Sequence, residues 1–134
     1  MLKKDRTVYN NDLKTYSYVC PRCFNLLNKC ECDQYPEMLI QIDKHMVPII
    51  KKLNDIHYKT EGCCEGHIGK FDKIYIFFVK KYKFKVPLPE GFTGDGSYVS
   101  ANIYGSSETA KKRNKRKLLN ELYDWVCELK NRKT

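Results

Sequence analysis

No apolar run in this sequence approaches the ~18 residues that a membrane-crossing helix needs, so a helical anchor is not expected. The opening stretch, MLKKDRTVYNNDLKTY, is charged and lacks the apolar region of a secretory signal. There is no internal repeat and no low-complexity tract. Such a chain is expected in the cytoplasm, where thiols stay reduced. Its seven cysteines then argue for metal or chemistry rather than for disulfides.

The 134 residues suit one compact domain with a small appendage. Aromatics are plentiful, with ten Tyr, six Phe and one Trp. The net charge is +9 and the isoelectric point about 9.2. That excess favours a polyanionic partner, with nucleic acid ahead of a membrane surface.

Along the chain, residues 1–16 read as a loose basic arm and 17–35, SYVCPRCFNLLNKCECDQY, as a cysteine-rich block. From Pro36 the pattern becomes apolar and periodic. Leu39, Ile42, Met46, Ile49, Leu53 and Ile56 recur at steps of three and four, one face of a helix. Asp43 is a candidate N-cap and Pro48 an interruption, which predicts the main helix over 44–56 with 37–42 as a lead-in. A strand is predicted over 59–64, then a turn at Gly66 to Gly69. KIYIFFVKKYKFKV (73–86) alternates with period two and predicts a long strand, one face core and the other ending in a lysine row. PLPEGFTGDGS (87–97) predicts a loop, and YVSANIY (98–104) a further strand. Ser106 or Ser107 then caps a last helix that buries Leu118, Leu122, Trp125 and Leu129. The expected fold is α+β: an N-terminal four-cysteine zinc ribbon (17–35), then an α+β domain (36–134) with a small antiparallel or mixed sheet packed by two helices.

Cys20-Pro-Arg-Cys23 and Cys30-Glu-Cys32 supply two close cysteine pairs separated by six residues. Two thiolates from each pair complete a tetrahedron around one ion. The block holds too little apolar surface to fold alone, so metal binding would supply its folding free energy. One structural Zn2+ held by Cys20, Cys23, Cys30 and Cys32 is expected. The block resembles short zinc ribbons, whose first knuckle is often written C-P-x-C; the second pair departs from the usual two-residue spacing. A redox C-x-x-C normally opens a helix after a strand, a pattern not visible here.

The second cluster is YKTEGCCEGH, Tyr58 to His67. On an extended chain Cys63, Glu65 and His67 share parity and can converge on one side, away from Cys64. Four readings stay open. Cys63, Gly66 and His67 can form a ligand-binding turn, with Gly66 exposing backbone N–H groups. Cys64, Glu65 and His67 are candidates for covalent or acid–base catalysis. The turn can be structural, its cysteines simply buried. Or it can hold a second metal.

KKLNDIHYKTEGCCEGHIGKFDKIYIFF (51–78) resembles a stretch of the wybutosine-synthesising tRNA methyltransferase family. There a helix ending in Leu-Asn leads through a threonine to a Ser-Cys-Ser-Gly-Arg turn and a strand. The matching positions are Leu53, Asn54, Thr60, Cys64, Gly66 and, in place of the arginine, His67, with Cys63 and Glu65 where the serines stand. The resemblance implies S-adenosylmethionine and tRNA. The ribbon followed by a CCEGH turn also resembles small uncharacterised proteins of Firmicutes and their phages.

KKRNKRK (111–117) packs six positive charges into seven residues near the start of the last helix. Cations there oppose the helix dipole and one another, so the run does not serve helix stability. Lys111, Lys112, Arg113, Lys115, Arg116 and Lys117, with the row Lys81, Lys83 and Lys85, are candidate phosphate contacts; a solvated face is the plainer alternative. The leading expectation is a zinc-binding protein that binds RNA or DNA through basic surfaces, a binding module ahead of an enzyme. The alternatives are a nucleotide- or RNA-modifying enzyme using the CCEGH turn, and a phage-type regulator of a host protein.

Overall fold

The structure, a computed structural model, describes residues 16–32 and 40–129. The expected arm lies outside them, apart from Tyr16. Strand β1 (Tyr16–Val19) leads into the cysteine block and pairs antiparallel with β2 (Ile40–Asp43). One 3-10 turn (Lys44–Met46) later, α1 (Val47–Asp55) begins. Then come β3 (Thr60–Cys64), β4 (Lys73–Phe78), β5 (Phe92–Gly94), β6 (Tyr98–Asn102) and α2 (Glu108–Glu128). The main sheet is antiparallel throughout, in the order β3-β4-β6-β5. The fold of the described residues is therefore α+β, with two α-helices and the four-cysteine block towards the N-terminus.

The core explains which element goes where. Ile74, Ile76 and Phe78 of β4, Val99 and Ala101 of β6, Ile49, Ile50 and Leu53 of α1, and Leu118, Leu122, Trp125 and Val126 of α2 bury together. Val19 and Ile42 of the small ribbon join the same cluster, so the cysteine block is anchored on the body by shared apolar side chains. Ser107 caps α2, its Oγ accepting from the Ala110 N–H at 3.1 Å. Among the described residues no helix is long and apolar enough to cross a membrane.

Five expectations need correction. The strand predicted over 73–86 ends at Phe78. Beyond it Tyr82 is buried and Phe84 packs on Trp125 at 5.0 Å, while Lys81, Lys83 and Lys85 point out, so the alternation survives without a partner strand. Alternation reports which side faces the core, not whether a ladder exists. The segment 37–42, expected as a helix lead-in, supplies β2 from Ile40 onward; Leu39 lies outside the described residues. Ile42 and Met46 fit either period, and pairing with β1 decides. Asp43 does not cap α1, which opens after Met46 with no side-chain cap. Pro48 starts that helix rather than interrupting it, because a first-turn residue needs no N–H partner. The loop predicted over 87–97 contains the short strand β5, paired through Phe92, Thr93 and Gly94 to β6.

Candidate metal centre and the CCEGH turn

Cys20 to Asn25 form a tight turn. The Phe24 N–H donates to Cys20 O at 2.9 Å and the Cys20 N–H to Asn25 O at 3.0 Å, with Phe24 left-handed at φ 58°. The turn brings Cys20 and Cys23 together. Cys30 and Cys32 follow a 3-10 turn over Leu27–Lys29. Cys30 is extended, and on an extended chain residues two apart face the same way. The one-residue spacing of the second pair thus does what the knuckle does for the first. All four Sγ atoms lie within 4.8 Å of one another, with Cys20 and Cys32 at 4.0 Å. Tetrahedral thiolates at ~2.3 Å from an ion stand about 3.8 Å apart, so the four are positioned to hold one metal ion.

The ribbon thiols do not titrate alike. Burial raises Cys20, but the N–H groups of Cys23 and Arg22 outweigh it and bring the thiol down to about 7. Burial pushes Cys23 up to about 12. Burial raises Cys30 as well, and a cation held among the sulfurs would offset that penalty. Lys51 ties the block to α1, donating to Cys23 O at 3.1 Å.

At the CCEGH turn, pairing across the sheet separates the two cysteines. Cys63 lies opposite Ile76 and packs against the core, whereas Cys64 lies opposite Tyr75. Burial, then Asp43, Cys64 and Glu65, raises the Cys63 thiol to about 12. Burial also raises Cys64, against the opposing Gly66 N–H. Neither is an activated thiolate.

Glu65 is 3% exposed and fully engaged. It accepts from the His45 N–H at 3.0 Å, the His45 Nδ1 at 2.7 Å and the Lys115 Nζ at 2.7 Å. Burial pushes its carboxyl up, but Lys115 and His45 more than offset this and hold it below the ordinary glutamate value. Lys115 also donates to Gly66 O at 2.7 Å. Gly66 has φ +85°, and a Cβ there would lie 2.5 Å from Ile103 Cδ1. Glycine is thus required by conformation and packing together.

His67 is 37% exposed and lines a cavity of about 830 Å³. The other walls include His45, Lys70 and Tyr123, and Lys112, Lys115 and Arg116 from successive turns of α2. Cys63, Cys64, Glu65 and Gly66 do not line it. The basic run is therefore divided. Lys112, Lys115 and Arg116 face the cavity, Lys111 is paired with Asp72 at 2.7 Å, and Arg113 and Lys117 are exposed outside the cavity wall. Lys81, Lys83 and Lys85 are not brought to it either.

No family model, no curated protein and no solved structure matches the chain. Of the positions carrying the methyltransferase resemblance, three besides Gly66 have evident structural work. Leu53 is core. Asn54 Nδ2 donates to Thr60 Oγ1 at 3.0 Å and its Oδ1 accepts from the Thr60 N–H at 3.3 Å, closing the α1–β3 connection. Asp43 and His45 were not legible as site residues in the sequence. They sit some twenty positions before the turn, and only the approach of β2 to β3 reveals them. The one local signal is the D-x-H spacing at the end of β2.

Proposed function

We propose that the protein is a zinc-stabilised module that binds single-stranded nucleic acid, with the α2 cavity as its phosphate-binding surface. The observation that carries this reading is the cavity wall. Lys70, Lys112 and Arg116 converge there with two imidazoles and the Tyr123 ring, against one carboxylate among the described residues, Glu108. Glu108 holds Lys112 at 3.3 Å through an exposed pair, which a phosphate can displace at small cost. Cationic grooves with aromatic rings suit single strands, whose phosphates bind the cations and whose bases stack. The solvent side of β4, away from the helices and off the cavity wall, carries rings of its own: Phe71 and Phe77 are exposed, with Tyr75 between them at centroid distances of 5.9 and 4.9 Å. Zinc is the ion that four thiolates favour, and seven free thiols suit a reducing compartment such as the cytoplasm.

The test is fluorescence anisotropy of a labelled single-stranded oligonucleotide titrated with protein across a salt series. Each neutralised phosphate contributes about 0.7 to the slope of log affinity against log salt on single strands. The double variant Lys112→Ala, Arg116→Ala should lower that slope by about 1.4, because two phosphates would no longer be neutralised. Wild-type protein with no salt-dependent binding to RNA or DNA, or a double variant with an unchanged slope, would overturn the reading.

A further inference from the structure

A second group of metal-ligating atoms stands apart from the ribbon. Asp43 comes from the end of β2, Cys64 from the end of β3 and His67 from the turn that follows. One donor atom from each lies within 4.8 Å of the others, and His67 Nε2 is 3.4 Å from Asp43 Oδ2. That separation is the one tetrahedral N and O ligands keep around an ion about 2.0–2.1 Å away. We propose that Asp43, Cys64 and His67 form a second binding site for a divalent transition-metal ion of the zinc class, with a coordination position left for an outside ligand.

Three features of the surroundings carry this. The first is a likeness between the two clusters. In the ribbon the Arg22 N–H donates to Cys20 Sγ, two residues back, at 3.4 Å; at the turn the Gly66 N–H donates to Cys64 Sγ, again two residues back, at 3.3 Å. Each bond holds its sulfur in place beside the other donors. The second is orientation. Asp43 accepts from the Glu65 N–H at 2.9 Å, which fixes the carboxylate beside the thiol, as outer contacts do for metal ligands. Glu65 is fixed in turn by His45 and Lys115. The third is the donor set. Thiolate, imidazole and carboxylate together suit zinc or cobalt, and three protein ligands are what an open zinc site uses, whereas four thiolates close one. His67 is also a wall residue of the cavity, whereas Asp43 and Cys64 are not, so the cluster meets the cavity at the imidazole. Uptake of the ion by itself requires no nucleic acid.

Cobalt(II) is the probe, added to the full-length chain after metal depletion and followed by its visible spectrum and by metal analysis. Wild type should take up two ions per chain. The first should give the intense sulfur charge-transfer band of a four-thiolate site. The second should add a spectrum with a mixed ligand field and weaker sulfur bands. His67→Ala, whose side chain is partly exposed and should leave the fold intact by circular dichroism, should weaken the second ion at least 10-fold and leave the first unchanged. Asp43→Asn should do the same. A wild-type chain that saturates at one ion would overturn the proposal. So would a second ion whose affinity His67→Ala leaves unmoved, because Asp43 and His67 would then be only an ion pair.

Discussion

The ribbon cluster and the turn cluster are built on opposite plans. Cys20, Cys23, Cys30 and Cys32 come from one short segment and are gathered by local turns. Asp43, Cys64 and His67 come from segments some twenty residues apart and are gathered by the sheet and the core beneath it. The difference assigns different work to an ion at each. Where the chain supplies few apolar side chains, metal binding substitutes for a core. Where the core is already complete, an ion adds little to the fold and has chemistry or ligand capture as its use. Four thiolates would close a site in the ribbon, while the turn offers three donors, one of them, His67, on a cavity wall.

The sharpest way to break this contrast is to remove the ribbon ion. Cys23→Ser, or chelation of the wild type, should melt the β1–β2 pairing and destabilise the chain by several kcal/mol, since structural zinc sites contribute ~10 kcal/mol or more of binding free energy. Thermal melting with and without chelator measures it. An unchanged midpoint would mean the ribbon folds on its shared apolar contacts alone. The next effect is at Glu65. Glu65→Gln leaves Lys115, 18% exposed, without its charged partner. The cost should be about 3 kcal/mol, the low end for a buried pair broken on one side. The same pair predicts a pH dependence. Glu65 is held below its ordinary value near 4.5, so its stabilisation is complete above that pH and is lost as pH falls through the lower folded value. Denaturant midpoints from pH 7 to 3 should show that loss in wild type and not in Glu65→Gln, provided the ribbon ion is retained.

Much of the fold was legible because its signals are local. The knuckle spacing, the Ser107 cap and the inward positions Leu118, Leu122 and Trp125 are each fixed by neighbours a few residues away. The β1–β2 pairing was not, since Ile42 fits a helix period as well as a strand and only a distant strand decides. The site divides the same way. The cysteine quartet could be read from spacing. In the turn, same-side parity grouped His67 with Cys63 and Glu65, but the structure puts Cys64 beside His67, because Gly66 at φ +85° breaks the extended geometry on which parity depends. Lys115 looked like a free cation in a basic run. It is the partner of a buried carboxylate fifty positions earlier, and no local pattern encodes that.

Gly66→Ala sharpens the contrast with a smaller effect. Alanine at φ +85° is strained by about 1–2 kcal/mol, and its Cβ would press on Ile103 Cδ1. The expected loss is about 2 kcal/mol by denaturant midpoint, with the second metal ion weakened as well, because the Gly66 N–H would no longer be aimed at Cys64 Sγ. A loss of stability without loss of the second ion would separate the glycine's packing role from the site.

The smallest expected effect lies one residue from the proposed ligand. Cys63 and Cys64 are adjacent and chemically identical, yet the sheet turns them to opposite faces. Cys63 packs against the core beside Ile76, and burial with three neighbouring acidic groups raises its thiol to about 12. Cys63→Ala should therefore cost about 1 kcal/mol, the transfer free energy of a small apolar group plus a shallow void. It should leave uptake of both metal ions unchanged. In the metal-loaded wild type, alkylation by iodoacetamide at pH 8 should reach exposed Cys127 first and Cys63 far more slowly. Peptide mapping over time reads both rates. If Cys63 is modified as fast as Cys127, or if Cys63→Ala removes the second ion while Cys64→Ala does not, the two thiols have been assigned to the wrong faces, and the contrast between a locally built and a fold-built cluster falls with them.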